Sequence, residues 1–375
     1  MSRSRNVWRI WCAPGLEELV TEEIAELTGA APRSAHAGVT ARLSDREAMV
    51  TLVWSRLAER VLVQAASFEA RDVGGLSDGL TAIGWDAWCR PEVPLRLRVD
   101  VSRSALRNEG AVATEVATAI GRRSGARPVA VGEGDDTPTQ LVDVSVRRNR
   151  VLVWVDATGE GLDRRRWRLA TAKAPLRTTL AAAALRASRW DRRAPLLDPF
   201  CGSGTVVVEA ARWAAALPPA VDRRYGIERW PSFEGGTWAS AATRPSAVEP
   251  ANPMIVARDR DAGAVRAARG NLERAGVDAA VTTEQGAISG ASPPVRSPVG
   301  WIVSNPPWGE RTREGRDPRD VWAAFGHLLA DHFAGWRVAV LSPSTHLVDA
   351  MDLPHQVAFT TSSGGRRVRL HLADV

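Results

Sequence analysis

The chain is poor in lysine, cysteine and long apolar runs, and each shortage narrows what it can be. Lys173 is the only lysine among 375 residues; the rest of the basic charge is arginine, and the formal net charge is +6. Arginine stays protonated and pairs bidentately with phosphates. A chain-wide bias toward arginine can equally reflect genome composition, so overall charge argues for nucleic acid only weakly. The three cysteines, Cys12, Cys89 and Cys201, lie far apart and show no metal-ligand spacing, so no metal is expected and a reducing cytoplasm is the simple reading. No run approaches a membrane span, and Arg3 and Arg5 are followed by neither a long apolar segment nor a convincing cleavage site, so no membrane or secretory role is expected.

What is present centres on Leu196-Leu197-Asp198-Pro199-Phe200-Cys201-Gly202-Ser203-Gly204-Thr205, followed by an apolar, helix-compatible run. This reads as a strand, a tight turn and a helix N-terminus, the usual ligand crevice of an open α/β sheet. Gly202 and Gly204 carry no Cβ and let backbone approach a ligand. No Gly-Lys-Ser/Thr follows and the dinucleotide fingerprint is absent, which removes both phosphate-binding loops. Cys201 reads as a small lining residue rather than a nucleophile.

A second stretch, Trp301-Ile302-Val303-Ser304-Asn305-Pro306-Pro307-Trp308, runs from a hydrophobic strand into an asparagine, two prolines and an aromatic. Prolines fix φ and hold the neighbouring carbonyls rigidly. The Asn305 amide oxygen and the Pro306 carbonyl can accept both hydrogens of a planar amine while Trp308 stacks on its ring. The nitrogen lone pair then faces an electrophilic methyl, which suits amine methylation from a sulfonium donor. After the strand near 254–257, Asp259 is the choice for the donor's ribose hydroxyls, with Asp261 second.

With 375 residues and 45% apolar content, two or three domains are expected. Residues 7–11, 39–43 and 60–65 read as strands, and 15–28 and 46–57 as helices, in a β-α-β-β-α-β-like order. The glutamates at 17, 18, 22, 23 and 26 read as a solvated acidic helix face. Strands at 142–147 and 150–156 are expected to join around Asn149. Residues 164–193 form the densest basic region, with Arg164, Arg165, Arg166, Arg168, Lys173 and Arg177 as candidate RNA contacts and Trp167 free to stack or pack. An insert with Tyr225, Trp230, Phe233 and Trp238 reads as a substrate flap or as surface packing. Further strands are expected at 279–282, 301–304 and 337–341, with a closing hairpin around Gly364-Gly365.

The stretches VWRIWCAPGLEELVTEEI, WVDATGEGLDRRRWRLATAKAPLRTTLAAAAL, LDPFCGSGTVVVEAA and SNPPWGERT together resemble THUMP-domain RNA guanine-N2 methyltransferases, and RRYGIERW and HFAGWRVAVLSP resemble the bacterial 23S ribosomal RNA branch. The resemblance implies an α/β fold: a class I, Rossmann-like methyltransferase domain with a mostly parallel seven-stranded sheet, preceded by ferredoxin-like and THUMP α+β domains. Its divisions fall at 1–68 (ferredoxin-like), 69–158 (THUMP), 159–193 (basic linker and first helix) and 194–375 (methyltransferase). It implies S-adenosylmethionine held by Asp198, Phe200, Gly202, Gly204 and Asp259, leaving S-adenosylhomocysteine, and a target amine at Asn305, Pro306 and Trp308. The partner implied is structured RNA, ribosomal ahead of transfer RNA, reached as a monomer after opening or flipping of the base. A non-catalytic RNA-binding or assembly factor is the alternative. Two departures stand out: Trp308 replaces a smaller aromatic, and Ala287 stands where an acid would reach the donor adenine. Glu284, Gln285 or a backbone carbonyl are the available substitutes.

Overall fold

The computed structural model describes residues 5–128, 138–169, 176–243, 249–294, 297–309 and 317–375. The first half runs β1 (Asn6–Trp11), α1 (Glu17–Thr28), β2 (Arg33–Ala35), β3 (Gly38–Leu43), α2 (Asp45–Trp54), β4 (Arg60–Glu69), α3 (Val73–Thr81), β5 (Leu95–Ser102), α4 (Glu109–Ser124), β6 (Gln140–Arg147) and β7 (Arg150–Asp156). Local chemistry sets these boundaries. Ser44 and Glu47 form a reciprocal capping box at α2, and Asn108 accepts from the Ala111 amide at α4. Gly29 and Gly125 end α1 and α4 in the left-handed region, as their positions in the sequence suggest.

The two segments expected to be ferredoxin-like and THUMP share one seven-stranded sheet, ordered β2-β3-β1-β4-β7-β6-β5. Alternate residues of its central strands, among them Trp8, Ile10, Val61, Val63, Val142, Val144, Val153 and Val155, are buried in the main core. The β6–β7 hairpin turns at Arg148 and Asn149, both at positive φ (51° and 64°), which matches the twist of the flanking strands.

The second half runs α5 (Thr178–Ala187), β8 (Leu196–Asp198), α6 (Thr205–Ala214), α7 (Gly235–Ala242), β9 (Ile255–Asp259), α8 (Ala262–Ala275), β10 (Val281–Gln285), β11 (Trp301–Ser304), α9 (Pro318–His332), β12 (Arg337–Ser342), α10 (Thr345–Asp349), β13 (His355–Ser363) and β14 (Arg366–Asp374). Its sheet is ordered β10-β9-β8-β11-β12-β14-β13. Strand β10 begins two residues later than the sequence suggests, because Asp278–Ala280 forms a 3-10 turn first.

The expectation of a mostly parallel sheet is corrected at the level of the chain: of the twelve ladders among the described strands, seven are antiparallel. Parallel pairing needs long crossovers, and these occur where a helix links strands, from β10 through β12 and between β5 and β6. Elsewhere tight turns such as Gly364-Gly365 (φ 57° and 77°) return the chain antiparallel.

Two further expectations change. The acidic face of α1 is not merely solvated. Glu23 is buried and accepts from the Ser55 hydroxyl (2.5 Å) and the Arg56 amide (2.9 Å) beyond the end of α2, while Glu22 and Glu26 pair with arginines 186 and 189. The aromatic insert is a clamp, not a flap. The Trp230 indole donates to Gln140 (2.9 Å) and Ser232 to the Ala87 carbonyl, and from α2 Trp54 donates to the Ala241 carbonyl. Trp230 also stacks with Trp8 and meets Trp88 edge-on.

A buried ionic knot completes the junction. Glu209, on α6, accepts from Arg165 Nε at 3.0 Å and faces Arg56 at 3.4 Å, all three side chains being 7% exposed or less. Burial pushes the Arg56 guanidinium down to about 10 despite Glu209. Removing one member of such a knot strands the others without water. Glu209→Ala is therefore expected to cost about 3–5 kcal/mol, read as a lower urea midpoint; a midpoint equal to wild type would refute the assignment.

Candidate functional site

The site lies at the carboxyl ends of β8, β9 and β11, adjacent parallel strands of the second sheet. The glycine turn after β8 leads directly into α6. Gly204 sits at φ 81°, and a Cβ there would press on Ala268 of α8 at 3.0 Å. Its glycine identity thus serves both the turn and helix packing. Gly202 also has positive φ (53°), and its amide donates to Asp259 Oδ2 at 2.9 Å. The turn is held from behind by the wholly buried Asn271, whose amide donates to the Ser203 carbonyl.

Asp259 and Asp261 separate cleanly. Asp259 Oδ1 also accepts from the Asp261 amide, which orients the carboxylate toward the glycine turn with lone pairs to spare. Asp261 caps α8, accepting from the amides of Gly263 and Ala264. The first residue joins β9 to the glycine turn, and the second caps a helix.

Asp198 is 1% exposed and its Oδ1 accepts from the Ser304 hydroxyl at 2.6 Å and the Phe200 amide at 3.2 Å. Ser304 immediately precedes Asn305, so one hydrogen bond ties the glycine turn to the Asn-Pro-Pro-Trp segment. Desolvation pushes the Asp198 carboxyl up to about 7, against the pull of Ser304 and Phe200. Phe200 packs edge-on against Phe325 of α9 (5.4 Å).

Asn305 Oδ1 is buried and has no hydrogen-bond partner among the described residues. An unpaired buried acceptor is costly unless a ligand satisfies it. The prolines beside it are braced: the fully buried Trp322 indole donates to the Pro307 carbonyl at 3.1 Å. Trp308 is half-buried, and its indole donates to the Leu341 carbonyl at 3.2 Å, which pins the ring. Ser304 and Trp322 escape a reading of the sequence. Ser304 looks like strand polarity, and Trp322 like an ordinary apolar helix residue.

At the place of the missing acid, Arg258 has taken the available partners. It pairs with Glu284 at 2.6 Å and donates to the Ala287 carbonyl at 3.2 Å, filling the space beside Gly286 and Gly290. Glu284 and that carbonyl are thereby engaged, and Gln285 is exposed.

The basic stretch divides. Arg165 is 1% exposed and bound to Glu209, so it is withdrawn from the surface and corrected to a structural role. Trp167 packs: it is fully buried, with its indole on the Pro219 carbonyl. Arg168 is half-buried against the Leu176 carbonyl. Arg164 and Arg166 reach Glu160, and Arg177 reaches Glu59, with side chains 48–63% exposed. Lys173 lies outside the described residues. Among the described residues no helix is long and apolar enough to cross a membrane, and no cluster of three or more His, Cys, Asp or Glu is arranged to hold a metal.

The UPF0020 family model, an RMKL-like methyltransferase domain, matches residues 165–370, and the RlmL ferredoxin-like domain matches residues 10–62. A structure of a predicted N6-adenine-specific DNA methylase from Listeria monocytogenes is 25% identical, with TM-score 0.82 over 97% of this chain and 95% of that one. SMU.472, solved as a complex with SAH, is 22% identical with TM-score 0.83, over 100% of this chain and 99% of that one. TrmN from Thermus thermophilus is 23% identical with TM-score 0.72, over 98% and 99%.

The raised Asp198 carboxyl gives a pH signature. Its folded value, about 7, exceeds the ordinary 3.8, so stability from this group is full below about 4 and is lost as pH rises through about 7. Asp198→Asn should match wild type near pH 4 and become more stable by roughly 1–4 kcal/mol at pH 8. Urea midpoints at the two pH values decide it, and a difference independent of pH would count against the buried carboxylate.

Proposed function

The chain belongs to the UPF0020, RMKL-like methyltransferase-domain family, and from that premise we propose that it transfers a methyl group from S-adenosylmethionine to the exocyclic N2 amine of a guanosine in structured RNA. S-adenosylmethionine supplies an electrophilic methyl on sulfur when bound. The residues present fit it: Gly202 makes the turn beside the crevice with its amide on Asp259, Gly204 lets that turn pack on α8, Asp198 and Phe200 border the crevice, and Asp259 can take ribose hydroxyls.

The orphaned Asn305 Oδ1 carries the reading. An aromatic amine is a poor nucleophile because its lone pair is delocalised into the ring. With Asn305 Oδ1 and the Pro306 carbonyl each accepting one N–H, the amine is fixed in position and its lone pair is turned toward the donor side of the cleft. Trp308, held by Leu341, supplies a flat wall for the base, and its indole area favours a purine. Rigid preorganisation matters here because the acceptors must act on charge that builds on nitrogen during transfer.

The ferredoxin-like and THUMP segments, with Arg164, Arg166 and Arg177, would hold RNA by its phosphates. Ribosomal RNA is favoured over transfer RNA, and the enzyme would act as a cytoplasmic monomer. Incubating the purified chain with labelled donor and ribosomal or transfer RNA, then digesting to nucleosides, tests this directly. N2-methylguanosine is expected, and Asn305→Ala should lower its rate about 10²–10³-fold while donor binding is retained. Label in N6-methyladenosine instead would replace guanine as the target. Bound donor with no transfer to RNA would favour a non-catalytic role.

A further inference from the structure

Opposite the helices, the first sheet carries an unusual group of side chains. Arg9 and Trp11 on β1, Trp154 on β7, Asp143 on β6 and Arg98 on β5 share one face. The register fixes this: Arg9 lies opposite Leu62 and Leu62 opposite Asp156, while Trp154 lies opposite Asp143 and Asp143 opposite Arg98. Three strands separate β1 from β5, about 19 Å in a flat sheet. Yet the Arg98 guanidinium lies 4.8 Å from the centre of the Trp11 ring, with Arg9 at 5.7 Å. The sheet therefore coils over this face and makes it concave.

This concavity is charged and aromatic, and several of its buried donors are unpaired. Arg9 Nε, Trp11 Nε1 and Trp154 Nε1 are buried with no hydrogen-bond partner among the described residues, and Trp154 is 3% exposed. Asp143, itself buried, sits 3.5 Å from Arg98 Nε and also faces Arg9. Asp100, Asp156 and Glu69 are the other carboxylates on this face, with Asp156 held by Arg60. The Arg98 side chain is 61% exposed, so its outer surface is open. Buried N–H donors call for an acceptor-rich partner, guanidinium groups for an anion and a flat ring, and Asp143 for a donor. An unpaired nucleotide offers all of these: base acceptors, a π face, a phosphate and an exocyclic amine.

The face is also close to the catalytic half. Trp11 is followed by Cys12-Ala13-Pro14-Gly15, and the Gly15 backbone abuts the Thr360 carbonyl of β13. Only two strand spacings, roughly 10 Å, separate β13 from β12, whose Leu341 carbonyl holds Trp308.

We propose that this concave face is a single-stranded RNA subsite, in which Arg98, backed by Trp11, stacks on an unpaired base while the indole and guanidinium N–H groups of Trp154 and Arg9 meet its acceptors. It rests on the RNA reading above and assigns where strand next to the target is gripped.

The test is fluorescence anisotropy of a labelled 12-nucleotide single-stranded RNA against the full chain over a range of salt. Arg98→Glu should bind about 10-fold more weakly, with the logarithmic salt slope reduced by about 0.7 or more. Trp11→Leu should weaken binding several-fold, and Trp11→Phe should restore it. Arg224→Glu, which reverses a charge on an 84% exposed side chain outside this face, should bind like wild type and controls for net charge. Wild-type affinity and slope in both Arg98→Glu and Trp11→Leu would overturn the subsite and leave the RNA reading intact. A wild-type chain that binds no RNA at low salt would overturn both.

Discussion

One buried carboxylate, Glu209, holds the molecule's two sheets in a common frame. It sits on α6, the helix that begins at the glycine turn, and faces Arg165 from the linker and Arg56 from the first half. Two cations without water around them can share such an anion only if all three are fixed. The helix that positions the donor crevice is thereby tied to the module that carries the arginine- and tryptophan-rich face. Glu23 reinforces the junction by taking the chain's amides just past α2.

Within the crevice, rigidity is achieved by bracing from outside. Asp198 and Ser304 link the two strand ends directly, while Trp322 supports the Pro307 carbonyl and Leu341 holds Trp308. Asn305 Oδ1 takes no part in this bracing. It is left unpaired among the described residues because its neighbours are fixed by other bonds. Arg258 shows the opposite pattern: by binding Glu284 and the Ala287 carbonyl it closes the polar choices where an adenine acid would stand.

The elements around Asp198 and Asn305 were legible in the sequence because their signals are local. A glycine pair after an apolar strand, or a proline pair after another, restricts backbone whatever surrounds it. Helix ends at Gly29, Gly125 and Gly276 were legible for the same reason. What escaped was decided by distant partners. Arg165 looks like its basic neighbours until Glu209, 44 residues away, is seen to bury it. The α1 glutamates look solvated until Arg186, the Ser55 hydroxyl and the Arg56 and Leu57 amides arrive from elsewhere. That antiparallel ladders outnumber parallel ones over the two sheets was not legible, because the parallel pairings dominate the motifs, while the hairpins leave only turn residues as their signature.

The aromatic clamp formed by residues 225–241 makes the two halves mutually dependent. Trp230 is 3% exposed, with Trp8, Trp88 and Gln140 of the first half supplying part of its cover. Severing the chain in the linker would uncover indole surface on one fragment and the matching hollow on the other, a combination that drives self-association. The catalytic half is thus not a portable cassette: its solubility is borrowed from the same module that would bring it a substrate.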